Sequence, residues 1–333
     1  MKTRRANQAV LGIDLGGTFI KAGLVTEDGQ IVVKGQWPTL AEQKRREVVL
    51  SQMKTAVNHL LEQKPGLKLL GIGIGTPGLV DNQGKVYEAP NLPGWDNLPL
   101  RQIFEKTYHV PVVVENDVNS ITWGEYLFGA GRGSRTMICI TLGTGLGGGV
   151  VVKGQLLRGA VFSAAELGHV TIDYRGPVCN CGNIGCIEKL VSRDAIIERA
   201  VKAIQSGRTT SLVQLSGGDI SQITPKMISQ AAHQGDELSL EIWEEVGRCL
   251  GFFFVGMVNI FNPDRVVIGG GIAKAGNLLF QPIRTIVKRH AMKKLSAKLK
   301  IVRSGLKDNT GIISAAALIF QSRISLSKYH QTS

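Results

Sequence analysis

Two stretches of this 333-residue sequence read alike: VLGIDLGGTFIKAGLVTEDGQIV from Val10 to Val32, and MICITLGTGLGGGVVVKGQLL from Met137 to Leu157. Each runs from an apolar strand through a glycine-rich turn into a second strand, then through a Gly-Gln turn into a third. Asp14 falls opposite Thr141, and Gly29 opposite Gly154. A β-meander repeated about 127 residues further on calls for two domains of related build. The length agrees, since a chain of this size buries a sizeable core and divides readily into two domains. The halves are expected to pack around a cleft.

The text around the repeat alternates helix and strand. Arg46 to Gln63 places Val49, Met53, Ala56, Val57, Leu60 and Leu61 at helical spacing. LLGIGIGTPG reads as a buried strand ending in a turn. Val110 to Glu115 reads as another, with Asp117 able to cap the helix that follows. Residues 193 to 226 are the least legible, and Ser206-Gly207 and Ser216-Gly217-Gly218 read as loops. LGFFFVGMVNIF from Leu250 reads as a buried helix stopped by Asn262-Pro263-Asp264, too short for the ~18 apolar residues of a membrane span.

MKTRRANQAV at the N-terminus has no apolar run ending in a cleavage signal, so no signal peptide is expected. A cytoplasmic, reducing location follows, which disfavours structural disulfides. The net charge of +13 raises the question of nucleic acid. The densest basic run carries Arg284, Lys288, Arg289, Lys293, Lys294 and Lys298, without aromatic side chains to stack on bases. Its spacing suits a wetted helix face, and no specific nucleic-acid site is expected.

Three glycine runs carry the phosphate chemistry. At Asp14-Leu15-Gly16-Gly17-Thr18, backbone N–H groups can approach an anion closely. Thr18 adds a hydroxyl, Lys21 a positive charge, and Asp14 a carboxylate suited to hydrated Mg²⁺. The second run follows Thr141 and includes Gly143, Thr144 and Gly145. The third, Gly269-Gly270-Gly271, follows a β-branched strand. One such run alone reads as a tight hairpin. Residues 143 to 148 satisfy G-x-G-x-x-G, yet VVVKGQLL continues as a strand where a dinucleotide fold needs a helix. Three runs, two on repeated meanders, fit a nucleotide held by two domains.

CNCGNIGCIE places Cys179, Cys181 and Cys186 in a C-x-C-x4-C pattern. The C-x-x-C redox motif is absent, and a disulfide would leave an odd thiol. Gly182 and Gly185 let the chain fold back as a metal knuckle requires. Three thiolates need a fourth ligand for tetrahedral zinc, from among Cys139, Cys249, Asp173, Glu188 and His169. Cys139 and Cys249 read as small core residues. His169, ahead of Cys179 in ELGH, best completes a set of three cysteines and one histidine.

DLGGT, LGTGLGGG and IGGGI, in this order, resemble the two phosphate motifs and the adenosine motif of the sugar-kinase, Hsp70 and actin superfamily. TPGLVD, PNLPGW, ENDVN, ELGH and CNCGNIGCIE resemble the ROK family of bacterial sugar kinases and sugar-responsive repressors, and within it the glucokinase type. The resemblance implies an α/β, two-domain actin-like ATPase (RNase H-like) fold. It sets a small domain over 1–120, rejoined by a C-terminal helix at about 310–333, and a larger one over 121–309 bearing the zinc clip. It implies ATP and Mg²⁺ at Asp14, Gly16, Gly17, Thr18, Lys21, Thr141, Gly143, Thr144, Gly145, Gly269, Gly270 and Gly271. Asp117, which alone reads equally well as a helix cap, becomes the catalytic base.

Asn91, Asn116, Asp117, Glu166, His169 and Glu188 become sugar ligands by the same resemblance. Without it, Glu166 reads as a surface carboxylate and His169 as an ordinary polar histidine. Trp95 reads as pocket wall or core. His169 matches the family's zinc histidine, giving structural Zn²⁺ on His169, Cys179, Cys181 and Cys186. The expected activity is transfer of the γ-phosphoryl of ATP to the 6-hydroxyl of a hexose, most readily glucose. N-acetylmannosamine, N-acetylglucosamine or fructose are alternative acceptors, and polyphosphate an alternative donor. A homodimer is the family's expectation. A sugar-sensing repressor is the competing class, disfavoured because nine residues before Val10 cannot build a DNA-binding module.

Overall fold

The computed structural model describes residues 7–329 except 88, 90 and 91, with side chains described as far as Phe320. The chain packs into two compact units. The first holds the described residues up to Gly133, the segment Leu156–Ala164, and the chain from Gly305 onward. The second holds Ser134–Gln155 and Ala165–Ser304.

In the first unit, β1 (Gln8–Leu15), β2 (Phe19–Val25) and β3 (Ile31–Pro38) make the meander. Helix α1 (Arg46–Glu62) leads into β4 (Lys68–Thr76), and α2 (Leu100–Tyr108) into β5 (Val112–Asn116), from which α3 (Asp117–Leu127) springs directly. The sheet runs β3-β2-β1-β4-β5, with β4 and β5 parallel to β1. Alternate side chains face opposite ways. Leu11, Ile13 and Leu15 pack with Met53 and Leu60 of α1 and Phe104 of α2. Val10 and Val25 pack instead with Ile312, Ala316, Ile319 and Phe320 of the C-terminal helix, Thr310–Tyr329.

That helix lies directly on strand backbone, and glycine makes the approach possible. A Cβ on Gly12 would fall 2.1 Å from the Ile312 carbonyl oxygen, and one on Gly73 1.8 Å from that of Ala315. Helix α3 joins the same layer, where Trp123 Nε1 donates to the Ala317 carbonyl at 3.1 Å. This packing carries α3 into the first unit, so the division falls after Gly133 and not at the expected 120. Buried Glu125 of α3 accepts backbone N–H bonds from Ala130, Gly305 and Leu306, at 2.8, 3.0 and 3.1 Å. One carboxylate thus holds the chain shortly before it leaves this unit and directly after it returns.

The second unit has β6 (Thr136–Leu142), β7 (Leu146–Val152) and β8 (Gln155–Leu156), then α4 (Glu188–Val191), α5 (Arg193–Gln205), α6 (Leu212–Leu215), α7 (Pro225–His233) and α8 (Glu237–Phe261). It ends with β9 (Arg265–Gly269), α9 (Asn277–His290), α10 (Lys293–Ser296) and β10 (Lys300–Arg303). Its sheet runs β10-β9-β6-β7-β8, the order of the first sheet with β6 in the place of β1. Again the meander is antiparallel, and the two later strands run parallel to its first. The repeat read in the glycines is a repeat of topology.

Strand β7 occupies the place where a dinucleotide fold would need a helix. The region 193 to 226 holds α5, α6 and the start of α7, and Ser206-Gly207 and Ser216-Gly217-Gly218 lie in turns outside those helices, as expected. Its helices are held by polar caps rather than a long apolar stripe: Ser192 caps α5 and Thr224 caps α7. Asp236 caps α8 through the Ser239 N–H while accepting from the Thr210 hydroxyl and the Ser211 N–H. Helix α8 stops at Asn262 in the left-handed conformation, one residue before Pro263. Among the described residues no helix is long and apolar enough to cross a membrane. The basic run lies on exposed faces of α9 and α10, and Arg284 donates to the Ile301 carbonyl at 2.8 Å.

Candidate active site

In the first unit, Asp14 is the next-to-last residue of β1 and pairs across the hairpin with Lys21 of β2. Burial raises the Asp14 pKa above the usual carboxylate value, and Lys21 opposes that rise only in part. The first turn of the C-terminal helix closes over the carboxylate, for a Cβ on Gly311 would lie 2.0 Å from Asp14 Oδ2. A desolvated carboxylate of this kind suits a cation. The neighbouring turn is already tied: Gly16 N–H donates to the Phe19 carbonyl at 3.0 Å, and the Thr39 hydroxyl to the Gly16 carbonyl at 2.7 Å. Gly16 therefore shapes the turn and gives its own N–H to the chain, while Thr18 stands exposed.

At the end of β5 the cap of α3 is Asn116, not Asp117 as expected. Asn116 Oδ1 accepts from the N–H groups of Val118 and Asn119, at 3.0 and 3.1 Å. Asn116 has the extended-side backbone of a cap, whereas Asp117 is already the first helical residue. The Asn116 amide donates to the Gly78 carbonyl of TPGLVD at 3.2 Å, joining two of the sequence motifs. Asp117 Oδ1 accepts from the Val118 N–H at 2.9 Å. Its carboxylate stands at a helix start, where negative charge is favoured. Asn91 lies outside the described residues. Trp95 belongs to the core, packed with Leu92, Leu98 and Phe104.

Two residues that sequence reasoning passed over support this corner. Glu115 is buried, and its carboxylate accepts from Arg158 Nε at 2.8 Å. Its other oxygen accepts from the Asn116 N–H at 3.0 Å and from Asn119 Nδ2 at 3.2 Å. Glu115 stood within ENDVN, but nothing in the text signalled its pairing with Arg158.

In the second unit, the β6–β7 turn spans Gly143, Thr144 and Gly145, closed by Gly143 N–H donating to the Gly145 carbonyl at 2.9 Å. Arg193 N–H, at the start of α5, donates to the Gly143 carbonyl at 2.8 Å. Glu188 Oε2 accepts from the Leu146 N–H at 2.9 Å and sits where a Cβ on Gly145 would be, 2.4 Å away. Glu188 therefore braces the second glycine turn. Gly270, at φ +85, is pressed against Leu142, the last residue of β6. The second and third glycine runs thus meet. Thr141, beside Leu142 on β6, is half-buried, and Thr144 at the turn's tip is exposed.

The cysteine segment forms a knuckle. Cys179 N–H donates to the Asn183 carbonyl and Gly182 N–H to the Cys179 carbonyl. Gly185 is obligatory, because a Cβ there would lie 1.6 Å from the Asp173 carbonyl oxygen. The ligand atoms of His169, Cys179, Cys181 and Cys186 all lie within 4.8 Å of one another. Cys181 and Cys186 Sγ are 3.8 Å apart, and His169 Nδ1 is 3.6 Å from Cys179 Sγ. Tetrahedral zinc with Zn–S of about 2.3 Å and Zn–N of about 2.0 Å sets such atoms roughly 3.5–3.8 Å apart. The donor set fits zinc. Without a cation, burial pushes the Cys186 thiol up to about 12, with the neighbouring sulfurs adding to it. The Asn183 amide fixes the knuckle by donating to the His169 carbonyl at 3.1 Å. Glu166, exposed, precedes the short helical turn that carries His169.

Two five-stranded sheets of one order, each with a glycine turn at the end of its first strand, define an actin-like two-domain α/β fold of the sugar-kinase class. The chain belongs to the ROK family, whose model matches residues 10–322. It is 40% identical over 311 residues to a glucokinase of Thermotoga maritima, covering 93% of this chain and 96% of that one. A ROK family glucokinase from Streptomyces griseus, solved in complex with glucose and AMPPNP, is 35% identical with a TM-score of 0.78, over 94% of this chain and 99% of that one. A xylose repressor of Caldicellulosiruptor bescii is 32% identical over 324 residues, 96% of this chain and 80% of the repressor.

Proposed function

We propose that this chain is an ATP-dependent glucokinase, moving the γ-phosphoryl group of ATP to the 6-hydroxyl of glucose. What carries the proposal is the similarity to the Streptomyces griseus glucokinase, which was solved with glucose and AMPPNP bound. The geometry on either unit agrees with it.

Asp117 accepts the proton of the attacking hydroxyl, its position fixed by the Asn116 cap and its own bond to Val118 N–H. Asn116 keeps its Oδ1 on the helix and one amide hydrogen on Gly78, leaving the second amide hydrogen for a sugar hydroxyl. Glu166, His169, Glu188 and Asn91 complete the sugar contacts. Lys21, Thr18 and Gly17 on the first unit, and Thr141, Thr144 and the glycines of the second and third runs on the other, bind the nucleotide. Asp14 would hold Mg²⁺, which would supply positive charge to the phosphates. Such transfer depends chiefly on positioning and electrostatics, which is the work these turns do.

Zinc on His169, Cys179, Cys181 and Cys186 is structural, with no open position for a catalytic water. His169 Nδ1 faces the sulfurs, so Nε2 remains for the sugar. Glu188 follows Cys186 by two residues and braces the glycine turn with Oε2. The clip thereby fixes sugar and phosphate elements of one unit in a single frame. The protein is a cytoplasmic homodimer on this account.

A coupled assay of ADP release against glucose, N-acetylmannosamine, N-acetylglucosamine and fructose tests the substrate. Glucose is expected to give the highest kcat/KM, and a preference for any other sugar would displace the assignment. The repressor reading draws on the similarity to the xylose repressor. A gel shift at moderate salt separates it: salt-sensitive, sequence-independent binding at most is expected here.

A further inference from the structure

Glu115 and Arg158 lie 43 positions apart in sequence and form an ion pair that no motif announces. The Glu115 side chain is 5% exposed and that of Arg158 29%, so the carboxylate is taken out of water and depends on its partners. Those partners surround the proposed base. One oxygen holds the N–H of Asn116, immediately before Asp117, and the amide of Asn119, two residues after it. The other oxygen is held by Arg158.

Arg158 belongs to Leu156–Ala164, a short segment of the first unit flanked on both sides by chain of the second. The segment is closed on itself by Ala164 N–H donating to the Arg158 carbonyl at 3.0 Å. It turns through Gly159 and Phe162, both in the left-handed conformation. From Ala164 the chain runs on to Glu166 and His169.

We propose that Glu115 and Arg158 are positioning residues for phosphoryl transfer. The pair locks the Asn116–Asp117 junction and ties it to the segment that leads into the sugar-side residues Glu166 and His169. The inference rests on Asp117 being the base. Fixing the strand end through a buried ion pair removes the rotation that would let the Asp117 carboxylate drift from the attacking hydroxyl. A displacement near 1 Å costs about 10²-fold in rate.

The test is steady-state kinetics of the full-length enzyme with glucose and MgATP, with glucose binding measured by calorimetry. Arg158→Met leaves a buried carboxylate unpaired and risks the fold, so the pair Glu115→Gln/Arg158→Met, which removes both charges, is made alongside it. Both are expected to lower kcat by about 10- to 100-fold. KM for ATP and the Kd for glucose should stay within about threefold of the parent, and Arg158→Lys should recover most of kcat. With Glu115→Gln made as the second single variant, the double should lose clearly less kcat than the product of the two single losses, the signature of a coupled pair.

A folded double variant with kcat within twofold of the parent would overturn the proposal. So would a kcat loss matched by an equal loss of glucose affinity, which would mark a sugar contact instead. Asp117→Asn in the same series separates the two claims. If Asp117→Asn is inactive while the pair variant is fully active, the positioning role alone fails. If Asp117→Asn turns over normally, the base assignment fails first.

Discussion

Asp14 and Asp117 both stand where a strand of the first unit ends, yet their surroundings ask different things of them. Asp14 is pressed by Gly311 and desolvated, which raises its pKa above 3.8. The folded chain therefore binds this proton more tightly than the unfolded chain, so Asp14 favours folding at low pH. That contribution is lost as pH climbs above 3.8 toward and through the raised folded value. Asp14→Asn should then raise the melting temperature of the metal-free protein at neutral pH, while removing Mg²⁺-dependent turnover; calorimetric melts with and without MgATP check both. Asp117, next to the capping Asn116, is the base in the proposed function. Asp117→Ala or Asp117→Asn should lower kcat by about 10²- to 10⁴-fold while glucose still binds, as read by calorimetry. The cap itself shows how far text reaches: ENDVN announced a strand-to-helix junction, but choosing between Asn116 and Asp117 needed the backbone geometry. The bond from Arg158 to Glu115 left no trace in the sequence, because an ion pair across 43 positions has no period.

At the scale of elements, close approach is set by missing Cβ atoms. Gly73→Ala would drive a methyl into the Ala315 carbonyl 1.8 Å away and force the C-terminal helix off the sheet. A loss of about 1–3 kcal/mol or more is expected in urea unfolding, as for other overpacked cores. In the clip, the geometry around His169 and the three cysteines predicts one zinc per chain by elemental analysis. Chelation, or Cys181→Ser, should loosen the knuckle and lower both melting temperature and glucose affinity, since His169 and Glu188 hang on the same frame. Metal-free protein with full activity would remove zinc from the account. Helix α1 and the meander strands were plain in the sequence because their apolar periods are long and clean. Helices α5 to α7 were not, because Ser192 and Thr224 stabilise α5 and α7 by capping that apolar periodicity does not report.

At the scale of the whole molecule, the duplicated sheet order explains why a chain with two glycine meanders needs two units, and why the phosphate-type turns recur at equivalent strand ends. The repeat was legible because glycine turns at fixed places in a meander are a strong pattern. The unit boundary was not, since it depends on α3 and the C-terminal helix sharing one layer. The two units share a topology. The central claim is that Asp117 drives phosphoryl transfer from ATP to glucose. Its most direct test is phosphorus NMR of the product formed from glucose and MgATP by the parent protein and by Asp117→Asn, with glucose binding confirmed for both. The account predicts glucose 6-phosphate from the parent, and bound glucose but no product above about one part in 10² from the variant over the same time. No phosphorylated glucose from the parent, or equal product from both, would contradict it.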